Sequence, residues 1–249
     1  MRKPIMAGNW KMHNLTSESA SLVNQLRQNV SDVKDREIIV FPPFTSLDIV
    51  IKSAGNSNIS VGAQNLYFEE KGAFTGEVSP AMVKDIGCSH VLIGHSERRQ
   101  YFGETDQSVN KKIFAALKAG LLPVVCIGET LAEREANKTF DIIGKQIKEG
   151  LAGLSKDQML KLVVAYEPVW AIGTGKTATP AQAEEVHAFI RKELEKMFDK
   201  EVADKTRILY GGSVKPENVK DLMAQKDIDG GLVGGASLKV DSFTKLIKY

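Results

Sequence analysis

Apolar and β-branched residues gather in short, evenly spaced runs along the chain. They are PIMAGNW (4–10), EIIVFPP (37–43), ISVGAQN (59–65), HVLIG (90–94), PVVCIG (123–128), LVVAYEP (162–168), RILYGG (207–212) and DGGLVGG (229–235). Each has strand length and reads as a continuous apolar run, the pattern of a parallel sheet covered on both faces. Eight runs in 249 residues recur about every 31 residues, roughly what a strand, a crossover helix and two loops require.

Between the runs the period becomes helical. Ala183, Val186, Ile190, Leu194 and Met197 form one apolar stripe over residues 180–198. Thr179 is placed to cap that helix, Pro180 suits its first position, and Gln182 completes a capping box. Thr130 with Glu133 repeats the box and predicts a helix over 131–149. Ser79-Pro80, Lys215-Pro216 and the SERR segment after His95 predict further helix starts. No linker, low-complexity run or shift in composition divides the chain, so residues 1–249 are expected to form one domain. Eight unbroken β and α units, with no polar-faced edge strand, predict a (β/α)8 barrel: eight parallel strands inside an outer ring of helices.

Composition narrows the function. With 43% hydrophobic and 26% charged residues, the chain is of the ordinary globular kind. A net charge of +2 with interleaved signs argues against nucleic acid as a partner. No run approaches the roughly 20 apolar residues of a membrane span. The apolar part of MRKPIMAGNWKM is too short for a signal peptide, so the N-x-[ST] matches at Asn14, Asn58 and Asn137 are read as chance. Cys88 and Cys126 lie in apolar runs without a C-x-x-C pattern, which predicts neither a metal site nor a disulfide framework. The expected location is a reducing cytoplasm.

A barrel of this kind places its chemistry at the C-terminal ends of its strands. Those ends carry Asn9 and Lys11 (first strand), His95 and Glu97 (fourth), Glu167 (sixth), Gly211-Gly212 before Ser213 (seventh) and Gly234-Gly235 (eighth). Glycine turns expose backbone N–H groups that can cradle a phosphate, and the VWAIGTGKTATP loop adds Gly173 and Gly175. A carboxylate at Glu167 can take a proton from carbon beside a carbonyl. His95 and Lys11 can stabilise the enolate oxygen that results. At a helix start the imidazole is expected to be a neutral donor, since that end of the helix disfavours a cation.

Other motifs fit worse. GTGKT has Trp170 where a nucleotide-binding P-loop needs glycine. GTGKTA begins six residues beyond the strand end, whereas a dinucleotide fingerprint turns at once into its helix. His95-x-Glu97 lacks the P-C-x-x-C of zinc deaminases. Neither a metal nor another cofactor is implied. His13, His90 and His187 are read as structural or surface residues, and Cys126 as a buried packing residue.

AYEPVWAIGTGKTATP (165–180), GNWKMH (8–13), IGHSERRQYFGET (93–105), YGGSV (210–214) and GLVGGASL (231–238) resemble the triosephosphate isomerase family, in order and from the first strand to the last helix. The resemblance implies interconversion of dihydroxyacetone phosphate and glyceraldehyde 3-phosphate, the isomerisation shared by glycolysis and gluconeogenesis. It makes Glu167 the base, His95 the neutral electrophile, Lys11 the cation facing phosphate and enolate, and Asn9 and Glu97 further members of the catalytic group. Gly173, Ser213, Gly234 and Gly235 would hold the phosphate. Residues 169–178 would form a lid, with Ile172 and Leu232 pressing on Glu167. The long loop at 65–80, with Tyr67, Phe68 and Phe74, would insert beside a second subunit's site in a homodimer, Thr75 near its tip. Two rival functions stand beside this one: a Schiff-base aldolase using Lys11, and a non-catalytic scaffold on the same barrel.

Overall fold

The computed structural model describes residues 2–172 and 177–249. Its strands are β1 (Ile5–Asn9), β2 (Glu37–Phe41), β3 (Ile59–Ala63), β4 (His90–Ile93), β5 (Leu122–Ile127), β6 (Val163–Tyr166), β7 (Arg207–Tyr210) and β8 (Gly230–Val233). Every neighbouring pair is parallel, and β1 also pairs with β8, Ile5 opposite Gly230, which closes the barrel. All eight runs of the sequence are therefore strands of one sheet.

Strand alternation sorts the apolar residues into two layers. Ile5, Ala7, Ile39, Phe41, Leu92, Val124, Cys126, Val163, Ala165, Leu209 and Leu232 fill the barrel interior. Their neighbours Met6, Ile38, Val40, Val91, Val125, Val164 and Ile208 face outward and pack with the helices, Leu22, Val50, Ile113, Val186 and Phe243 among them. Both faces are dry, so both sets of positions are apolar.

The helix Pro180–Met197 starts as expected: Thr179 Oγ1 accepts the Gln182 N–H at 3.2 Å, and Gln182 Oε1 accepts the Thr179 N–H at 2.9 Å. Ser79 caps Pro80–Asp85, and Thr130 begins a boxed helix. Two expectations need correction. The helix predicted over 131–149 is two helices, Leu131–Glu135 and Thr139–Gly150. Asn137 takes a left-handed φ of 58°, and the Lys138 N–H reaches back to the Glu133 carbonyl at 2.9 Å, the hydrogen bond that ends a helix. Lys215-Pro216 opens a turn, and the helix proper is Val219–Met223.

At the foot of the barrel, Arg2 Nε lies 2.5 Å from Asp229 Oδ1. Arg191 joins Asp227 at 2.5 Å and the other oxygen of Asp229 at 2.8 Å. These buried pairs tie the start of β8 to the chain entering β1.

Candidate active site

The interior series continues upward into the mouth of the barrel. Two residues beyond the last inward apolar position stand Asn9 (after Ala7), Glu167 (after Ala165), Gly211 (after Leu209) and Gly234 (after Leu232). They border a cavity of ≈ 380 Å³ that is also lined by Lys11, His95, Ile172, Ser213, Leu232 and Gly235. Glu97 stands behind Lys11, outside the lining, and Thr75 is exposed on its loop away from it. Gly173 and Gly175 lie outside the described residues, as does the 173–176 part of the expected lid.

Glu167 is 2% exposed and both its oxygens are occupied. Oε2 accepts the Ser96 N–H at 2.8 Å, and Oε1 lies 3.0 Å from His95 Nε2. Burial pushes its pKa up, but His95 and the Ser96 N–H outweigh burial and hold the carboxyl below its ordinary range. A buried carboxylate charged near neutrality has the protonation state of a base.

His95 caps the helix Ser96–Phe102, its Nδ1 accepting the Glu97 N–H at 3.2 Å. That places the ring proton on Nε2, towards Glu167. Burial pushes the His95 pKa down, and the facing Glu167 carboxylate brings it above the ordinary histidine value. With the two groups in contact, the carboxylate thus opposes the neutral ring expected from the helix start alone.

Lys11 has a left-handed φ of 51°, uncommon for a residue with a side chain. Its N–H is held by Asn9 Oδ1 at 3.0 Å, and its carbonyl accepts from Gln64 Nε2 at 2.8 Å. The chain then runs past Gly234, where an added Cβ would lie 3.4 Å from Lys11 Cε. Nζ pairs with Glu97 Oε1 at 2.5 Å, an arrangement suited to carrying charge and not to forming a Schiff base.

Further residues serve the site. Gly94, just before His95, has its N–H held by Glu104 and its carbonyl by Arg99, whose other end meets Asp106 at 2.6 Å. Glu104 is in turn paired with the buried Lys112. Glu129 is fully buried after β5, accepting the Tyr166 hydroxyl at 3.1 Å and the Trp170 indole N–H at 2.9 Å. Burial raises its pKa in spite of those donors. The strand-end rule that found Glu167 reaches Gln64 and Glu129 when applied to β3 and β5 as well. Cys126 is a core residue of the barrel interior, its thiol pushed up by burial beside Glu167. His90 and His187 are buried structural residues, whereas His13 stands on the rim of the cavity.

The chain as a whole is similar to known proteins. A family profile described as triosephosphate isomerase matches residues 4–249. Curated triosephosphate isomerases from Endomicrobium trichonymphae, Moorella thermoacetica and Geotalea uraniireducens are 62%, 61% and 58% identical over 249 residues, covering 100% of this chain and 99% of each relative. A buried carboxylate, an imidazole and a lysine at the mouth of a closed eight-stranded barrel thus accompany likeness along the whole chain, and the chain belongs to the triosephosphate isomerase family.

Proposed function

We propose that Glu167, His95 and Lys11 carry out, in this cavity, the reaction of the family: interconversion of dihydroxyacetone phosphate and D-glyceraldehyde 3-phosphate. The isomerase activity follows from membership of the family; the residue roles are those the family resemblance implies, and the geometry supports them. The observation that carries them is the double hold on Glu167 by the Ser96 N–H and His95 Nε2. It keeps a charged carboxylate at the cavity wall with a hydrogen-bond donor beside it.

Substrate replaces both holds. Glu167 turns to the carbon bearing the hydroxyl, takes its proton and returns it to the neighbouring carbon. The hydroxyl hydrogen passes from one oxygen to the other, so two hydrogens move and no atom is lost. His95 Nε2–H, freed from Glu167, donates to the enediolate oxygen. With the carboxylate turned away, its upward pull on His95 is gone, and burial, the largest influence on the ring, outweighs the smaller pull of Glu97 and leaves a neutral donor. Lys11 offsets charge on the enediolate and the phosphate. Backbone N–H groups at Ser213, Gly234 and Gly235 hold the phosphate, joined by Gly173. Ile172 and Leu232 exclude water from Glu167 beneath a lid of residues 169–178.

The assembly proposed is a homodimer through the 65–80 loop. Tyr67, Phe68 and Phe74 stack on one another with centroids 4.3 and 4.7 Å apart, leaving Phe74 41% exposed. Met12, Leu15, Phe44, Met82, Tyr101 and Phe102, on segments that follow β1 to β4, are also exposed, while Leu131, Phe140 and Leu160 are exposed to a lesser degree after β5. Apolar exposure concentrated on the segments after β1 to β4 calls for a covering surface. Among the described residues no helix is long and apolar enough to cross a membrane. The free buried thiols of Cys88 and Cys126 support the cytoplasm as the site of action of this one-domain enzyme.

The test is turnover of glyceraldehyde 3-phosphate coupled to a reductase, with Glu167→Ala as control. Activity that collapses in the control supports both reaction and base; equal turnover in the two proteins removes Glu167 from the mechanism. Sedimentation at micromolar concentration tests the dimer, and a monomer mass refutes it.

A further inference from the structure

The catalytic groups alone do not make this cavity attractive to an approaching phosphate dianion. Among the described residues, the ionisable ones lining it are Lys11, His13, His95, Glu167 and Lys215. Seen from a distance, the charge of Lys11 is offset by Glu97 at 2.5 Å. Glu167 adds a negative charge of the same sign as the substrate. Once bound, phosphate is held by short-range backbone N–H groups, but approach over a distance is governed by net charge.

Lys215 alters that balance. It is exposed on the cavity rim, and among the described residues its ammonium has no ion pair or hydrogen bond. Its backbone is anchored all the same. The Lys215 N–H donates to Asn218 Oδ1 at 2.8 Å, and its carbonyl accepts the N–H groups of Asn218 and Val219 at 3.1 and 3.0 Å. Asn218 Nδ2 donates in turn to the Ser213 carbonyl at 3.1 Å. The root of the side chain is therefore fixed to the turn that would hold phosphate, while its charge remains uncommitted.

We propose that Lys215 is the cation that recruits the substrate's phosphate, supplying at the entrance the charge that Lys11 spends on Glu97. This rests on reading the cavity as a triose phosphate site. Its role precedes the chemical step, so its effect belongs to kcat/KM and to low ionic strength. For a dianion roughly 8 Å from the ammonium in water, Coulomb's law gives an effect on the order of fivefold. Screening contracts from about 30 Å at 0.01 M salt to about 3 Å at 1 M.

The experiment is steady-state kinetics of Lys215→Gln, Lys215→Glu and Lys215→Arg across that range of salt. Lys215→Gln should lower kcat/KM about fivefold at low salt and by less than about 1.5-fold at 1 M, with kcat moving far less than KM. Lys215→Glu should lose about the square of that factor, and Lys215→Arg should restore the wild-type value. The proposal is overturned if Lys215→Gln matches wild type at low salt, if its loss persists at high salt, or if arginine fails to restore it. Binding of 2-phosphoglycolate by Lys11→Met separates the two readings. If Lys11→Met binds it as wild type does, the phosphate site itself is misplaced. If Lys11→Met loses it while Lys215→Gln is silent, only the recruiting role fails.

Discussion

Gly211→Ala tests how closely the barrel fixes Glu167, the proposed base. Gly211 follows Leu209 on the inner side of the barrel, where a Cβ would lie 2.8 Å from Glu167 Cγ and 3.1 Å from the Tyr166 carbonyl oxygen. Its φ is outside the left-handed region, so alanine adds no backbone strain. The end of β7 cannot withdraw, because the Gly211 N–H donates to the same Tyr166 oxygen at 2.7 Å. Relief must come from Glu167. Carbon atoms rest about 3.5–4.0 Å apart, so Cγ has to move by about 0.7–1.2 Å. A displacement near 1 Å at a reacting group costs on the order of 100-fold in rate, and overpacking costs about 1–3 kcal/mol of stability. Steady-state kinetics of folded Gly211→Ala should therefore show kcat down on the order of 100-fold. Inhibition by inorganic phosphate should be little altered, since Lys11, Ser213 and Gly234 keep their places. A kcat within about twofold of wild type would refute the reasoning, showing that the carboxylate escapes the methyl group without losing alignment.

Burial pushes the pKa of His90 down to about 4 and that of His187 down to about 3, against about 6.5 in an unfolded chain. The unfolded chain takes up these protons first, so the contribution is complete above about pH 6.5 and is lost as the pH falls towards 4 and 3, at about 1.4 kcal/mol per unit per histidine. Urea titrations at fixed protein concentration should show about 2 kcal/mol lost per histidine by pH 5. His90→Asn should flatten that decline, and parallel curves for the two proteins would contradict the assignment. Trp170→Phe removes the 2.9 Å bond to the buried Glu129 and should lower stability by about 1–3 kcal/mol in the same titration; an unchanged midpoint would show that the bond contributes nothing. Gly230→Ala sets a Cβ 1.9 Å from the Ile5 carbonyl oxygen at a φ of 142°, and should yield little folded barrel by circular dichroism. A wild-type melting curve would mean that the β1–β8 pairing can shift to accept it.

The barrel was legible because its burial is so regular. Runs such as VVCI and LVVAY are apolar at every position, and the structure shows one half facing the interior and the other the helices. The carboxylate and the imidazole at the cavity could be located for the same reason, since the first polar residue beyond an apolar strand falls at the barrel mouth. Residues that act through others were not. Arg99 and Glu104 look like ordinary members of a charged helix and loop until the fold sets them on either side of Gly94. The break at Asn137 was hidden because the apolar period resumes on its far side, and only a left-handed backbone separates the two helices. The direction of the His95 shift depends on a carboxylate 72 residues further along the chain, a contact that local sequence does not specify.

The pairing of Ile5 with Gly230 also orders the events of biosynthesis. β1 leaves the ribosome before the other strands of the barrel, and the strand that completes its hydrogen bonding follows all of them. Until Gly230–Val233 emerges, the nascent sheet has two open edges and no closed interior. Arg2 meanwhile lacks both aspartates of its ion pairs. A chain stalled or truncated before that point carries seven of its eight strands and still presents sticky edges to its neighbours, so premature termination leads towards aggregation and not towards a slightly smaller enzyme.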